Sequence, residues 1–179
     1  MNLKEKQLKS EVLYEGKVVT LCKDTVALPN GNPAIREYVR HVGAVCVVPL
    51  LENSEILLER QFRYSVGQTL VEIPAGKLDS AEEDPQSAAL RELREETGYV
   101  AHKLTELGVF YGSPAIMGEK IWMYLAEDLH KEEQDLDEDE FLEVFSLPLE
   151  EAVKQVLDGT ITDGKTQAAV LKVWAMKIR

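Results

Sequence analysis

Residues 17–28 alternate polar and apolar and then run apolar, Pro29-Asn30-Gly31-Asn32-Pro33 interrupts them, and residues 34–41 resume in extended style. This pattern predicts a two-stranded hairpin behind a polar lead-in. A lone hairpin is marginal in water, so it must pack on the rest of the chain or on a second copy. Strand-like runs follow at residues 44–51, 56–62 and 70–73. Glu52-Asn53-Ser54 turns between the first two, and Pro74-Ala75-Gly76 ends the third. A helix comes next, then strands at 104–111 and 121–126 around a loop at 112–119, and an extended stretch at 140–145. Pro148 opens an amphipathic helix that Gly159 ends, and residues 166–178 form a last helix with Val170, Val173, Trp174 and Ile178 on one face. Strands dominate the first half and helices interrupt and then close the chain, which suits an α+β or layered sandwich fold better than a doubly wound sheet.

The first helix is the best defined by local chemistry. Asp84 offers an N-cap oxygen and Pro85 has no N–H to waste at the first position, while Gly98 supplies the stop. Inside it, Glu92, Glu95 and Glu96 stand at i, i+3 and i+4 on neighbouring rows of one face, and Ala89, Leu90 and Leu93 can pack inward. Like charges so placed repel by a few tenths of a kcal/mol per pair, and a divalent cation reverses that sign. A solvated helix face carries the same pairs, so the carboxylates alone leave both readings open.

Composition narrows the chemistry. The chain has 179 residues with 45% hydrophobic content, enough for one ordinary core and a small appended element. No run approaches the roughly 20 apolar residues of a membrane span, and the first residues lack the apolar centre of a secretory signal, so a cytoplasmic protein without membrane attachment is expected. Cys22 and Cys46 sit inside apolar runs as free thiols, and His41, His102 and His130 lack ligand spacing. Any metal should therefore be hard and carboxylate-bound. The net charge is -12, but residues 127–143 hold ten acids against Lys131, so the acidity belongs to one loop. Nucleic acid is not expected as a partner, while a small phosphate-bearing substrate is compatible if metal and arginines meet it.

The segment 76–99, GKLDSAEEDPQSAALRELREETGY, resembles the Nudix box: glycine, five residues, Glu, seven residues, Arg-Glu, an aliphatic residue, any residue, Glu-Glu, any residue, Gly and an apolar residue. Residues 91–99 match the second half throughout, and Glu83 keeps the spacing to Arg91. One departure lies in the loop, where six residues separate Gly76 from Glu83. Three flanking segments are similar to the ADP-ribose pyrophosphatase branch: Glu59-Arg60-Gln61-Phe62-Arg63, Leu70-Val71-Glu72-Ile73-Pro74-Ala75-Gly76, and Ser113-Pro114. There the usual Ser-Pro-Gly is Ser-Pro-Ala in this chain.

The resemblance implies a Nudix-type α/β/α sandwich with a mixed sheet at residues 42–179, preceded by an N-terminal β-hairpin element at 1–41 used for homodimerisation. It implies Mg2+, or Mn2+, held by Glu92, Glu95, Glu96 and the Ala75 carbonyl, with Glu119 also placed to reach the metal cluster. Arg91 and Glu83 would tie the loop to the helix between the motif glycines Gly76 and Gly98. Arg63 would contact substrate phosphates, Glu72 would lie near the ribose or the reacting centre, and Pro114 marks the branch. Arg36 and Glu37 resemble positions that meet the adenosine half. The catalytic base would be Glu138 or Glu140 from the acidic loop, with Glu140 preferred because it leads into a strand. The expected reaction is hydrolysis of ADP-ribose, or a related ADP-sugar, to AMP and ribose 5-phosphate. The rivals are another nucleoside diphosphate sugar or a damaged nucleotide as substrate, and a catalytically silent domain that senses ADP-ribose.

Overall fold

The computed structural model describes residues 2–138 and 140–178, which fall into two units. The first, residues 1–42 with 111–120, is built on an antiparallel meander of β1 (Lys6–Glu15), β2 (Thr20–Ala27) and β3 (Pro33–Arg40) in the order β1-β2-β3. β2 alternates as its sequence requires, burying Cys22, Asp24 and Val26. The turn closes through Leu28 N–H to Asn32 O at 2.8 Å, with Gly31 at φ 87° where a side chain would be strained. β1 is where the expected lead-in becomes a strand. Register shifts between Gln7 and Lys9 and between Val12 and Tyr14 break its period of two, so the sequence shows no clean alternation. All ten of its residues are exposed. Residues 111–120 join this unit through Val39, whose N–H donates to Ile116 O at 2.8 Å and whose carbonyl accepts from Gly118 N–H at 2.9 Å.

The second unit, residues 43–110 with 121–179, has two sheets. One runs β7 (Ala75–Lys77), β4 (Ala44–Pro49), β9 (Ile121–Lys131), β8 (Tyr99–Phe110), with β4 and β9 parallel. The other is antiparallel, β10 (Leu142–Pro148), β5 (Glu55–Arg63), β6 (Gln68–Glu72). Alternation along the central strands makes the layers. Val45 and Val47 of β4 pack with Ala88, Ala89 and Leu93 of α1 (Pro85–Thr97). Cys46 and Val48 pack the opposite way, with α2 (Leu149–Leu157) and α3 (Gly164–Lys177). The result is the α/β/α layering expected for the fold, with a mixed sheet.

Three boundaries differ from the pattern reading, each for a local reason. Pro74-Ala75-Gly76 does not simply end a strand: Pro74 O accepts from Val47 N–H at 2.9 Å and Ala75–Lys77 pairs with β4 as a short edge strand. Proline is tolerated there because its carbonyl, not its missing N–H, faces the neighbour. β8 begins at Tyr99 because its polar first half pairs with an equally polar extension of β9. α3 begins two residues before Thr166, capped by Asp163, which accepts from Thr166 N–H at 2.9 Å.

Candidate active site

α1 starts and stops where its caps put it. Asp84 accepts from Ser87 N–H at 3.0 Å, Pro85 opens the first turn, and Gly98 closes the last at φ 68° with its N–H on Arg94 O. Residues 132–135 of the acidic loop then dock on that end: Glu132 N–H donates to Gly98 O at 2.6 Å and Asp135 N–H to Glu95 O at 3.0 Å. The first half of this loop is thereby anchored, although composition alone gives it the look of a solvated segment.

The inward rim of α1 faces β7. Ala75 N–H donates to Glu96 at 2.8 Å, and a Cβ on Gly76 would stand 1.9 Å from the Glu92 carboxyl carbon. Only glycine lets the Glu92 carboxylate lie against that strand. Arg91 donates to Glu92 at 2.8 Å, to Glu95 at 3.1 Å and to Glu83 at 3.2 Å, and Glu83 in turn accepts from Asp79 N–H at 2.6 Å. The loop with the extra residue still delivers Glu83 to Arg91, closing through Glu83 N–H to Ser80 O.

A second group of acids lies on β5 and β6. Glu59 and Glu72 stand directly opposite each other in the register, and both are buried. Like charges so opposed destabilise a strand pair. Glu72 is compensated: Arg63 donates Nε to one of its oxygens at 2.7 Å and Nη2 to the other at 2.9 Å, and Lys165 Nζ donates to that second oxygen as well. Burial alone would raise the Glu72 carboxyl, but Arg63 and Lys165 hold it below the usual range. Glu59 feels the same two cations only at a distance, and neither of its oxygens has a hydrogen-bond partner among the described residues. Burial, then Glu72, pushes its carboxyl up.

The same excess reaches α1. Burial pushes Glu92 up to about 7, with Glu95 and Glu140 adding to it against Arg91. Glu96 is raised by burial, then by Glu59 and Glu92. Glu140, half-buried, repels Glu59, Glu92 and Glu96, while Glu138 is exposed in a turn. Among the described residues, no three carboxylate, imidazole or thiol groups already converge as a cage for a metal. What exists is a set of oxygen donors short of positive charge. That fits a hard cation which takes one or two carboxylates and completes its shell with water and phosphate oxygens.

Of the other residues singled out by sequence, Arg36, Glu37, Pro114 and Glu119 belong to the first unit. Arg36 pairs with Glu5 at 2.5 Å, and Glu119 lies 3.7 Å from His41. Sequence reasoning overlooked Lys165, Asp163 and Thr166 and gave Glu59 no role. One signal was present: a lysine just after an Asp helix cap puts a cation at the end of a helix that disfavours it.

The α/β/α fold thus lays a glycine edge strand against buried helix glutamates. Residues 40–169 match the NUDIX domain and residues 5–39 the nucleoside diphosphate sugar hydrolase N-terminal domain, and the chain belongs to the Nudix hydrolase family. The chain is 46% identical to an ADP-ribose pyrophosphatase of Bacillus subtilis (strain 168), over 94% of this chain and 92% of that protein. It is 44% identical to a methanol dehydrogenase activator of Bacillus methanolicus, over 93% and 90%. A crystal structure of an ADP compounds hydrolase shares the fold at a TM-score of 0.86 and 24% identity, covering 98% of this chain and 96% of that one.

Proposed function

We propose that this enzyme hydrolyses the pyrophosphate bond of ADP-ribose, or of a closely related ADP-sugar, to AMP and ribose 5-phosphate, with Mg2+ as cofactor and Mn2+ as a working substitute. The observation that carries the substrate is the near full-length identity to an ADP-ribose pyrophosphatase. The buried, charge-deficient carboxylates support the cofactor. Glu92, Glu95, Glu96 and the Ala75 carbonyl would hold it, with Glu119 as a further candidate. When bound, the cation neutralises pyrophosphate oxygens and makes phosphorus more open to attack by water.

The remaining work falls to the chain's own groups. Arg63 is 37% exposed at its side chain and its pair with Glu72 leaves Nη1 uninvolved, so Nη1 is the donor for phosphate oxygens. Glu140, whose charge acts on the helix carboxylates, takes the proton from the attacking water. Arg91 keeps Glu92 and Glu95 oriented while holding the loop through Glu83. Arg36 and Glu37 on the adenosine half, and Pro114 at the substrate, follow from the resemblance.

The fully exposed β1, with Leu8, Val12, Leu13 and Tyr14 uncovered, supports a homodimer formed through the N-terminal sheet. The free thiols Cys22 and Cys46 suit the cytoplasm. No described helix is long and apolar enough to cross a membrane.

The test is a hydrolysis panel of ADP-ribose, other ADP-sugars, GDP-mannose and oxidised nucleotides with Mg2+, products identified by chromatography. AMP and ribose 5-phosphate from ADP-ribose, at the highest kcat/KM of the panel, is the expected result. A higher value for a guanosine or uridine sugar would replace the substrate, and no hydrolysis at all would return the chain to the sensor reading.

A further inference from the structure

Lys165 has no obvious reason to be where the fold puts it. Its side chain is 12% exposed, and it occupies the second position of α3, where the helix dipole disfavours a cation. Burying an ammonium costs further free energy, and apolar replacement of buried ion pairs is often neutral or stabilising. Fold stability alone therefore does not account for a lysine here.

Its contacts point to a task. Nζ donates to Glu72 Oε2, the oxygen that also accepts from Arg63 Nη2, and lies 3.2 Å from Asp163. Asp163 is fixed independently, accepting from Thr166 Oγ1–H at 2.6 Å as well as from Thr166 N–H. Thr166 Oγ1 in turn accepts from the N–H of Ile73, the residue after Glu72, at 2.9 Å. The first turn of α3 thus grips the end of β6 twice, once at the main chain and once at the Glu72 carboxylate. Arg63 and Glu72 alone would be a neutral pair. Asp163 adds a second carboxylate, so Lys165 brings the four groups to neutrality, and without it they would carry one net negative charge beside Arg63.

We propose that Lys165 is a positioning residue for phosphate recognition: held between Asp163 and Glu72, it fixes the carboxylate that orients the Arg63 guanidinium and leaves that guanidinium's charge available to a diphosphate. This rests on the assignment of Arg63 to substrate phosphate made above.

A double-mutant cycle of Lys165→Met and Arg63→Met tests it, with ADP as the probe in titration calorimetry with Mg2+, alongside ADP-ribose kinetics. Lys165→Met should weaken ADP binding and raise KM by about tenfold, the scale of one charge-assisted hydrogen bond, with kcat within about threefold. In the Arg63→Met background the same change should alter neither quantity further. An unchanged ADP affinity in Lys165→Met, or an equal loss in both backgrounds, overturns the proposal; the latter pattern, with a lowered Tm, means a structural role only. If the Met variant fails to fold, Lys165→Gln takes its place in every arm. A wild-type chain that binds no ADP also overturns the proposal. One that binds ADP but hydrolyses no sugar nucleotide overturns the proposed function instead, and the affinity cycle still decides the role of Lys165.

Discussion

Glu59 and Glu72 are cross-strand neighbours, equally buried, and electrostatically opposite. Around Glu72 the fold assembles Arg63, Lys165 and the capped start of α3, so its negative charge is answered inside the protein. Around Glu59, Glu92 and Glu96 negative charge accumulates, and Arg91, engaged with Glu83 as well, is the compensating cation the contacts show for Glu92. A buried carboxylate with its own cation is a positioning device that works in the free protein. A buried carboxylate without one raises the free energy of the folded state unless it takes a proton or a metal. The site is therefore divided into a half whose charge is answered inside the protein and a half left with excess negative charge.

Removing a charge from the half with excess negative charge should give the largest effect of any substitution considered. Glu96→Gln keeps an acceptor for Ala75 N–H and relieves repulsion with Glu59, so the fold should survive with an unchanged or higher Tm without metal. Turnover should fall at least about a hundredfold, in the range that loss of metal or acid–base participation produces. Steady-state kinetics with a circular dichroism melt checks both, and near-normal turnover would remove Glu96 from the metal set.

Gly76→Ala strikes the same half through shape. Its Cβ would overlap the Glu92 carboxyl group, so either Glu92 or β7 must move. A loss of about 1–3 kcal/mol is expected from the overpacking, with a drop in turnover beside it. Chemical denaturation and the same kinetic assay measure it, and a variant with wild-type stability and rate would show that Glu92 can leave this position at no cost.

What could be read in the sequence follows the same division. α1, its caps and its three glutamates are local features, governed by spacings of three and four residues, and the sequence states them outright. β1 escaped because two bulges scramble its alternation, and β7 because a three-residue edge strand has no period to show. The compensated half escaped for a different reason. Lys165 and Glu72 are 93 residues apart and meet only when the first turn of α3 reaches the end of β6, which no local pattern reports. Glu59 lies in an apolar run, and its lack of a partner is a property of packing alone.

The compensated half should respond to uncapping in stability first. Thr166→Val removes the hydroxyl that accepts from Ile73 N–H and donates to Asp163. It leaves a buried N–H unsatisfied, which costs about 1–3 kcal/mol. Urea denaturation should show that loss with the m-value unchanged. A neutral outcome would mean that the main-chain grip of α3 on β6 carries little of the fold's stability, leaving the Lys165 contact as the principal link.

The two halves should also differ in how pH acts on them when a chelator removes divalent cations, and this is the smallest effect. Glu72 is held below its ordinary value, so its contribution is fully present above the unfolded carboxylate range and constant from pH 5.5 to 8. Glu92 is raised to about 7 by burial, so its favourable contribution exists at low pH and is lost as pH rises through that value. Tm should therefore fall by about 2–4 °C across this window, the shift that about 1 kcal/mol makes in a chain of this size. Glu92→Gln should reduce the slope, the raised Glu59 and Glu96 carboxyls supplying what remains, and Mg2+ added at pH 8 should restore the loss in the wild type, because a cation does for the carboxylates what protons do at pH 5.5. Scanning calorimetry at several pH values, with and without chelator, measures all three. A Tm that is flat or rising with pH in the chelated wild type would place the excess negative charge somewhere other than this cluster.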